Sequence, residues 1–148
     1  MRPWLQIGIT QLNLQILFII CGDFAFMQDT QVINLLSRLN GNKIYLFGNH
    51  DKVMHRPDVK RFFSSMHYYL EIKHNDELFC MMHYPIGEWN KAHHGSYHIH
   101  GHCHGNYKAP NPCRIMDVGA PCINYTPISL DDIVTKLKDQ PLLKHGAR

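Results

Sequence analysis

The chain has 148 residues, 45% of them hydrophobic and 18% charged, which suits one globular domain over 1–148 with a core of its own. Its formal net charge of +3 comes without a Lys/Arg cluster, so a basic nucleic-acid patch is not indicated. The apolar stretch Leu5–Ile20 is broken by Gln6, Thr10, Gln11, Asn13 and Gln15, whose polar groups are costly in a bilayer core, so no membrane span is expected.

Residues 1–15 form an atypical N-terminus in which Trp4, Ile7, Ile9, Leu12 and Leu14 could add an apolar strand. Ile16–Cys21 is a continuous apolar run, the pattern of a strand buried on both faces. It stops at Gly22-Asp23, and a carboxylate beyond the carboxyl end of a buried strand sits where open α/β sheets place ligands. Taken alone, Asp23 reads better as a capping or turning residue. Asp29 offers a helix N-cap, followed by Val32, Ile33, Leu35, Leu36 and Leu39 near helical spacing, and Asn40-Gly41 closes the helix. Lys43–Phe47 is the next strand, ending at Gly48-Asn49-His50-Asp51. Strand, helix and strand make a βαβ unit with polar groups at its mouth.

Pro57–Ser65 suggests a short helix, with Lys52 and Arg56 as cations that either meet a phosphate or are simply solvated. Tyr68–Lys73 and Glu77–Met82 read as a β-hairpin across His74-Asn75-Asp76. The second strand runs into His83-Tyr84-Pro85. A loop with Trp89, His93 and His94 follows, either a substrate-recognition segment or a plain connection.

Next comes His98-Ile99-His100-Gly101-His102-Cys103-His104-Gly105, which holds four of the twelve histidines. In a continuous strand all four would share one face, and His is both a common metal ligand and a common acid/base. Arg114–Val118 is a further strand. Asn124–Leu130 leads to a helix over about 131–138, with Ser129 and Asp132 as a capping pair, and a frayed tail follows from about 140. The five cysteines are odd in number and lack CxxC spacing, which reads as reduced thiols in a cytoplasmic protein.

The order Gly-Asp, Gly-Asn-His-Asp, an isolated His after a strand, then Gly-His-x-His resembles the calcineurin-like metallophosphoesterases. The likeness extends over about Leu17 to Val134 and includes the Gly22–Phe26, His83–Pro85, Met116–Gly119 and Asn124–Ile133 segments. It implies a four-layered α/β/β/α sandwich with its first strand missing or replaced. It also implies a phosphoesterase that hydrolyses a phosphomonoester or phosphodiester by attack of a metal-bound hydroxide.

Carried over by position, Asp23 bridges two divalent transition ions (manganese, iron, zinc or nickel), roughly 3.5–4 Å apart in such sites. Asn49, His83 and His102 complete one ion and His104 joins the other. His50, backed by Asp51, is the catalytic histidine, and Asn49, His50 and His94 face the substrate. The family's opening Asp-x-His has no counterpart, because no Asp, Glu or His precedes Asp23. That departure leaves three alternatives: a piece of a longer enzyme, a one-metal protein with weak activity, or an inactive relative.

Overall fold

The computed structural model describes residues 16–110 and 113–144; the strand expected within residues 1–15 and the last part of the expected tail lie outside them. The fold is α/β. Strands β1 (Leu17–Ile20), β2 (Asn42–Leu46) and β3 (Ser65–His67) form a parallel sheet in the order β1-β2-β3. Strands β4 (Tyr69–His74), β5 (Glu77–Met82), β6 (Tyr97–His100) and β7 (Ile115–Asp117) form a mixed sheet in that order. In it, β4 runs antiparallel to β5, while β5, β6 and β7 are parallel.

Helix α1 (Asp29–Arg38) makes the crossover from β1 to β2 and buries Val32 and Leu36. Its N-cap is Gln28, whose amide donates to the Gln31 side chain at 3.1 Å. Asp29 does not cap as expected; its carboxylate instead accepts from Arg56 at 2.7 Å. At the other end of α1, buried Lys43 donates to the carbonyls of Leu39 and Gly41 at 2.6 and 2.8 Å, a cation set against the negative end of the helix. The expected 57–65 helix is only the short α2 (Pro57–Lys60), and Ser65–His67 pairs with β2 instead. The hairpin is as expected, with Asn75 and Asp76 both at positive φ, the backbone of a two-residue hairpin turn. Helix α3 (Leu130–Leu137) starts at Ser129, whose hydroxyl accepts from the Asp132 amide at 3.1 Å.

Alternation along the strands divides the core. Tyr45 faces α1 in a cluster with Val32, Leu36, Met54, Val59 and Phe63, whereas Leu46 joins Phe79, Met81, Tyr97 and Ile99 between the sheets. Helix α3 adds Ile133 and Leu137 to that second cluster. On the far side of the mixed sheet, Cys80 packs with Trp89, Ala92 and Cys113 under loops, and Leu143 of the expected tail packs there too. Sheets covered on both faces need apolar side chains on both, which is why β1 (LFII) and most of β5 (LFCMM) read as continuous apolar runs. Among the described residues the cysteines are free thiols, and no helix is long and apolar enough to cross a membrane.

Candidate metal centre

The carboxyl ends of β1, β2, β5 and β6 meet at one edge of the two sheets. Asp23 follows β1, Asn49 follows β2, His83 follows β5 and His102 follows β6. Ligand atoms of Asp23, His83 and His102 lie within 4.8 Å of one another. His83 Nε2 is 3.3 Å from Asp23 Oδ2, 3.1 Å from Asn49 Oδ1 and 3.2 Å from His102 Nδ1. His83 is 1% exposed and the Asp23 side chain 14%, so the cluster is set into the surface with His83 at its buried end.

Backbone geometry brings the four together. Gly22 has φ +78°, and a Cβ there would strike the His83 ring and come within 2.8 Å of the Gly48 backbone. A Cβ on Gly48 would strike the Asp23 carboxylate. The glycines before Asp23 and Asn49 are therefore required by close approach. Asp23, His102 and His104 themselves adopt positive φ, at 49°, 65° and 49°. Non-glycine residues reach that region at a cost of about 1–2 kcal/mol each, and such strain gathers where side chains must be aimed.

The proton inventory of His83 decides what the cluster can hold. Its Nδ1 lies 2.7 Å from the Cys21 carbonyl oxygen, which can only accept, so Nδ1 carries the hydrogen and Nε2 of the neutral ring presents a lone pair. That lone pair faces a carboxylate oxygen, an amide oxygen and a second imidazole nitrogen. A divalent ion seated among these groups would take up their lone pairs, whereas without one a hydrogen on His102 Nδ1 meets His83 Nε2. One carboxylate oxygen, one amide oxygen and two imidazole nitrogens fit a borderline divalent transition ion.

The surrounding residues hold this arrangement. The other Asp23 oxygen accepts from the His50 amide at 2.9 Å, which leaves Oδ2 turned to the cluster. Buried Asp51 accepts from the Asp23 amide at 3.1 Å, the Tyr45 hydroxyl at 2.6 Å and the Gly48 amide. Its carboxylate thus ties the two ligand loops together rather than backing the His50 ring. Tyr45 Oη in turn accepts from the Phe24 amide at 3.3 Å. Burial first, and then Asp51, push the Tyr45 phenol upward, so it stays protonated and donating. Asp117, at the end of β7, accepts from the amides of Gly105 and Gly119 at 2.9 and 2.8 Å, anchoring the loop that carries His102. Tyr45, Asp117 and the Cys21 carbonyl were not singled out from sequence. Among them only Asp117, a carboxylate closing a short strand, carries a local signal.

The histidine-rich segment divides. β6 ends at His100, so the four rings do not share one face. His98 is a satisfied core residue, with Nδ1–H donating to the Cys80 carbonyl at 2.9 Å and Nε2 accepting from the Ile86 amide at 3.2 Å. Burial, the largest cause, lowers its pKa to about 4. His100 is buried with its pKa lowered in the same way, and its Nδ1 lies 2.8 Å from the Gly101 carbonyl. His104 is exposed and outside the converging group. His50 is exposed beside Phe26, ring centroids 5.3 Å apart. His94 is exposed on the 92–94 turn, its ring 4.1 Å from that of His93. Arg56 is held by Asp29 and Asp58 at 2.7 and 2.9 Å rather than turned to the cluster.

No protein-family model matches the chain. Uncharacterized protein MJ1445 of Methanocaldococcus jannaschii is 35% identical over 105 residues, 68% of this chain and 52% of that protein. The chain spans about half the length of the curated relative it matches. Among solved structures, the protein of unknown function AQ665 from Aquifex aeolicus is similar with a TM-score of 0.61 at 23% identity. That match covers 82% of this chain and 76% of the other, and it defines a shared fold.

Proposed function

We propose that this chain is a metal-dependent phosphoesterase of the calcineurin-like kind, hydrolysing a phosphomonoester or phosphodiester at the centre built by Asp23, Asn49, His83 and His102. The observation that carries the reading is the gathering of four side chains with potential ligand atoms, with the hydrogen of His83 held on its far nitrogen by Cys21. A divalent ion bound there supplies Lewis acidity, acidifying water and neutralising charge on the phosphate.

The chain's own residues supply the rest. The His50 amide fixes the Asp23 carboxylate, and the exposed His50 ring can hold a phosphate oxygen or deliver a proton to the leaving oxygen. Asp51 positions Asp23 and Asn49 through the amides of Asp23 and Gly48. In this reading Asp23 and His104 would also hold a second ion, which would help to neutralise the phosphate. The associated fold is the four-layered sandwich. It is supported by α1 on the outer face of the parallel sheet and by the two sheets sharing the Leu46–Ile99 core.

A second reading, a one-ion binding domain without turnover, draws on the converging group, which joins Asp23, His83 and His102 and leaves His104 outside. Hydrolysis of mono- and bis-p-nitrophenyl phosphate with added manganese tests the first, comparing wild type with Asn49→Ala and His83→Ala. Turnover that survives both substitutions refutes it. Elemental analysis separates the two: about one ion per chain and no turnover above background favours the second.

A further inference from the structure

Two exposed aromatic rings stand at the ends of the contact chain that runs through the metal centre. Phe26 is 73% exposed and lies against the His50 ring, whose amide holds Asp23. Tyr84 is 37% exposed and lies edge-on to His102 and His83, at centroid distances of 4.7 and 5.0 Å. Within the Gly22–Met27 segment, Phe24 and Ala25 pack against the α1 cluster, while Phe26 and Met27 are exposed. Phe26 is largely exposed beside the polar centre and tilted 58° to the His50 ring, and planar rings stack on exposed aromatic side chains. Other exposed tyrosines do not share this placement; Tyr68, for instance, packs on Phe47 at 4.9 Å.

We propose that Phe26, with Tyr84 beside His102, forms a stacking subsite that selects phosphate esters bearing a planar aromatic group. This assignment rests on reading the centre as a phosphate-ester site. The chemistry is shared by nucleoside phosphates and aryl phosphates. Phe26 reaches the non-phosphate part of the ligand and takes no part in ion binding. Stacking of a base on an aromatic side chain changes affinity about fivefold to more than a hundredfold.

The test is a calorimetric comparison of AMP, phenyl phosphate and ribose 5-phosphate binding to the manganese-loaded protein. Wild type is expected to bind at least one of the two aromatic ligands about tenfold more tightly than ribose 5-phosphate. Phe26→Ala is expected to bring that ratio close to one, and Phe26→Tyr to restore it. AMP tighter than phenyl phosphate assigns the subsite to a nucleoside; the reverse assigns it to an aryl ester. A wild-type ratio near one, or a ratio untouched by Phe26→Ala, overturns the proposal. Because the readout is binding, a ratio that depends on Phe26 without hydrolysis leaves the subsite standing and removes the phosphoesterase reading. Hydrolysis with a ratio near one does the opposite.

Discussion

The His83 ring donates its Nδ1 hydrogen to the Cys21 carbonyl at 2.7 Å, a bond that joins the end of one sheet to the end of the other. The same contact fixes the tautomer of His83 and aims Nε2 at Asp23, Asn49 and His102. His83→Ala removes the central donor and leaves a carbonyl without its partner. Outer-shell partners of a metal ligand typically cost about 10–100-fold in affinity, and loss of the central ligand itself is expected to cost more than about a hundredfold. Manganese titration by calorimetry checks this; binding within tenfold of wild type contradicts the assignment of His83.

Tyr45 is the least obvious support. Its buried hydroxyl donates to Asp51 and accepts from Phe24, bridging the loops that carry Asp23 and Asn49. Tyr45→Phe keeps the ring packing and removes only that bridge. Manganese affinity is expected to fall about tenfold, with a loss of about 1–3 kcal/mol in stability from the unmet partners. Calorimetry and urea unfolding measure the two separately, and a stability loss with unchanged ion affinity would leave Tyr45 a packing residue only.

Gly22 and Gly87 make a matched pair for the close-approach argument. Gly22→Ala puts a Cβ into the His83 ring and the Gly48 backbone at a φ of +78°. Left-handed strain and overpacking together predict a cost of about 3 kcal/mol. Gly87→Ala meets nothing within 4 Å and should stay within about 0.5 kcal/mol of wild type. Equal urea midpoints for the two variants would refute the account.

Much of this architecture was legible from local pattern. The β1-α1-β2 unit, the hairpin and the Ser129 cap follow from apolar runs, glycines and turn residues that act over a few positions. The polar residues just past four strands were legible for the same reason, since an apolar run that stops abruptly marks a strand end. Other features depend on partners distant in sequence. Ser65–His67 is short and polar, and becomes a strand only by pairing with β2. Asp29 falls in the first turn behind the Gln28 cap, with its carboxylate on Arg56, 27 residues away. The roles of the Cys21 carbonyl, the Tyr45 hydroxyl and Asp51 exist only once the sheets face each other. The shared face assumed for the four histidines fails because the strand ends at His100 and left-handed residues follow.

His98 predicts how the fold responds to acid. Its ring is fully buried, spans the Cys80 carbonyl and the Ile86 amide, and has its pKa lowered from 6.5 to about 4, chiefly by burial. A histidine with a depressed folded pKa stabilises the native state above its unfolded pKa, because only the unfolded chain takes up the proton readily. Its contribution is therefore complete above about pH 6.5 and is lost as pH falls toward about 4. The full shift corresponds to about 3 kcal/mol at most. Urea unfolding at intervals between pH 7.5 and 4 should show stability falling across that window. The His98 ring signals in NMR should remain those of the neutral Nδ1–H tautomer until near pH 4. A His98 that titrates near 6.5 in the folded protein would show that the ring is not sealed between Cys80 and Ile86.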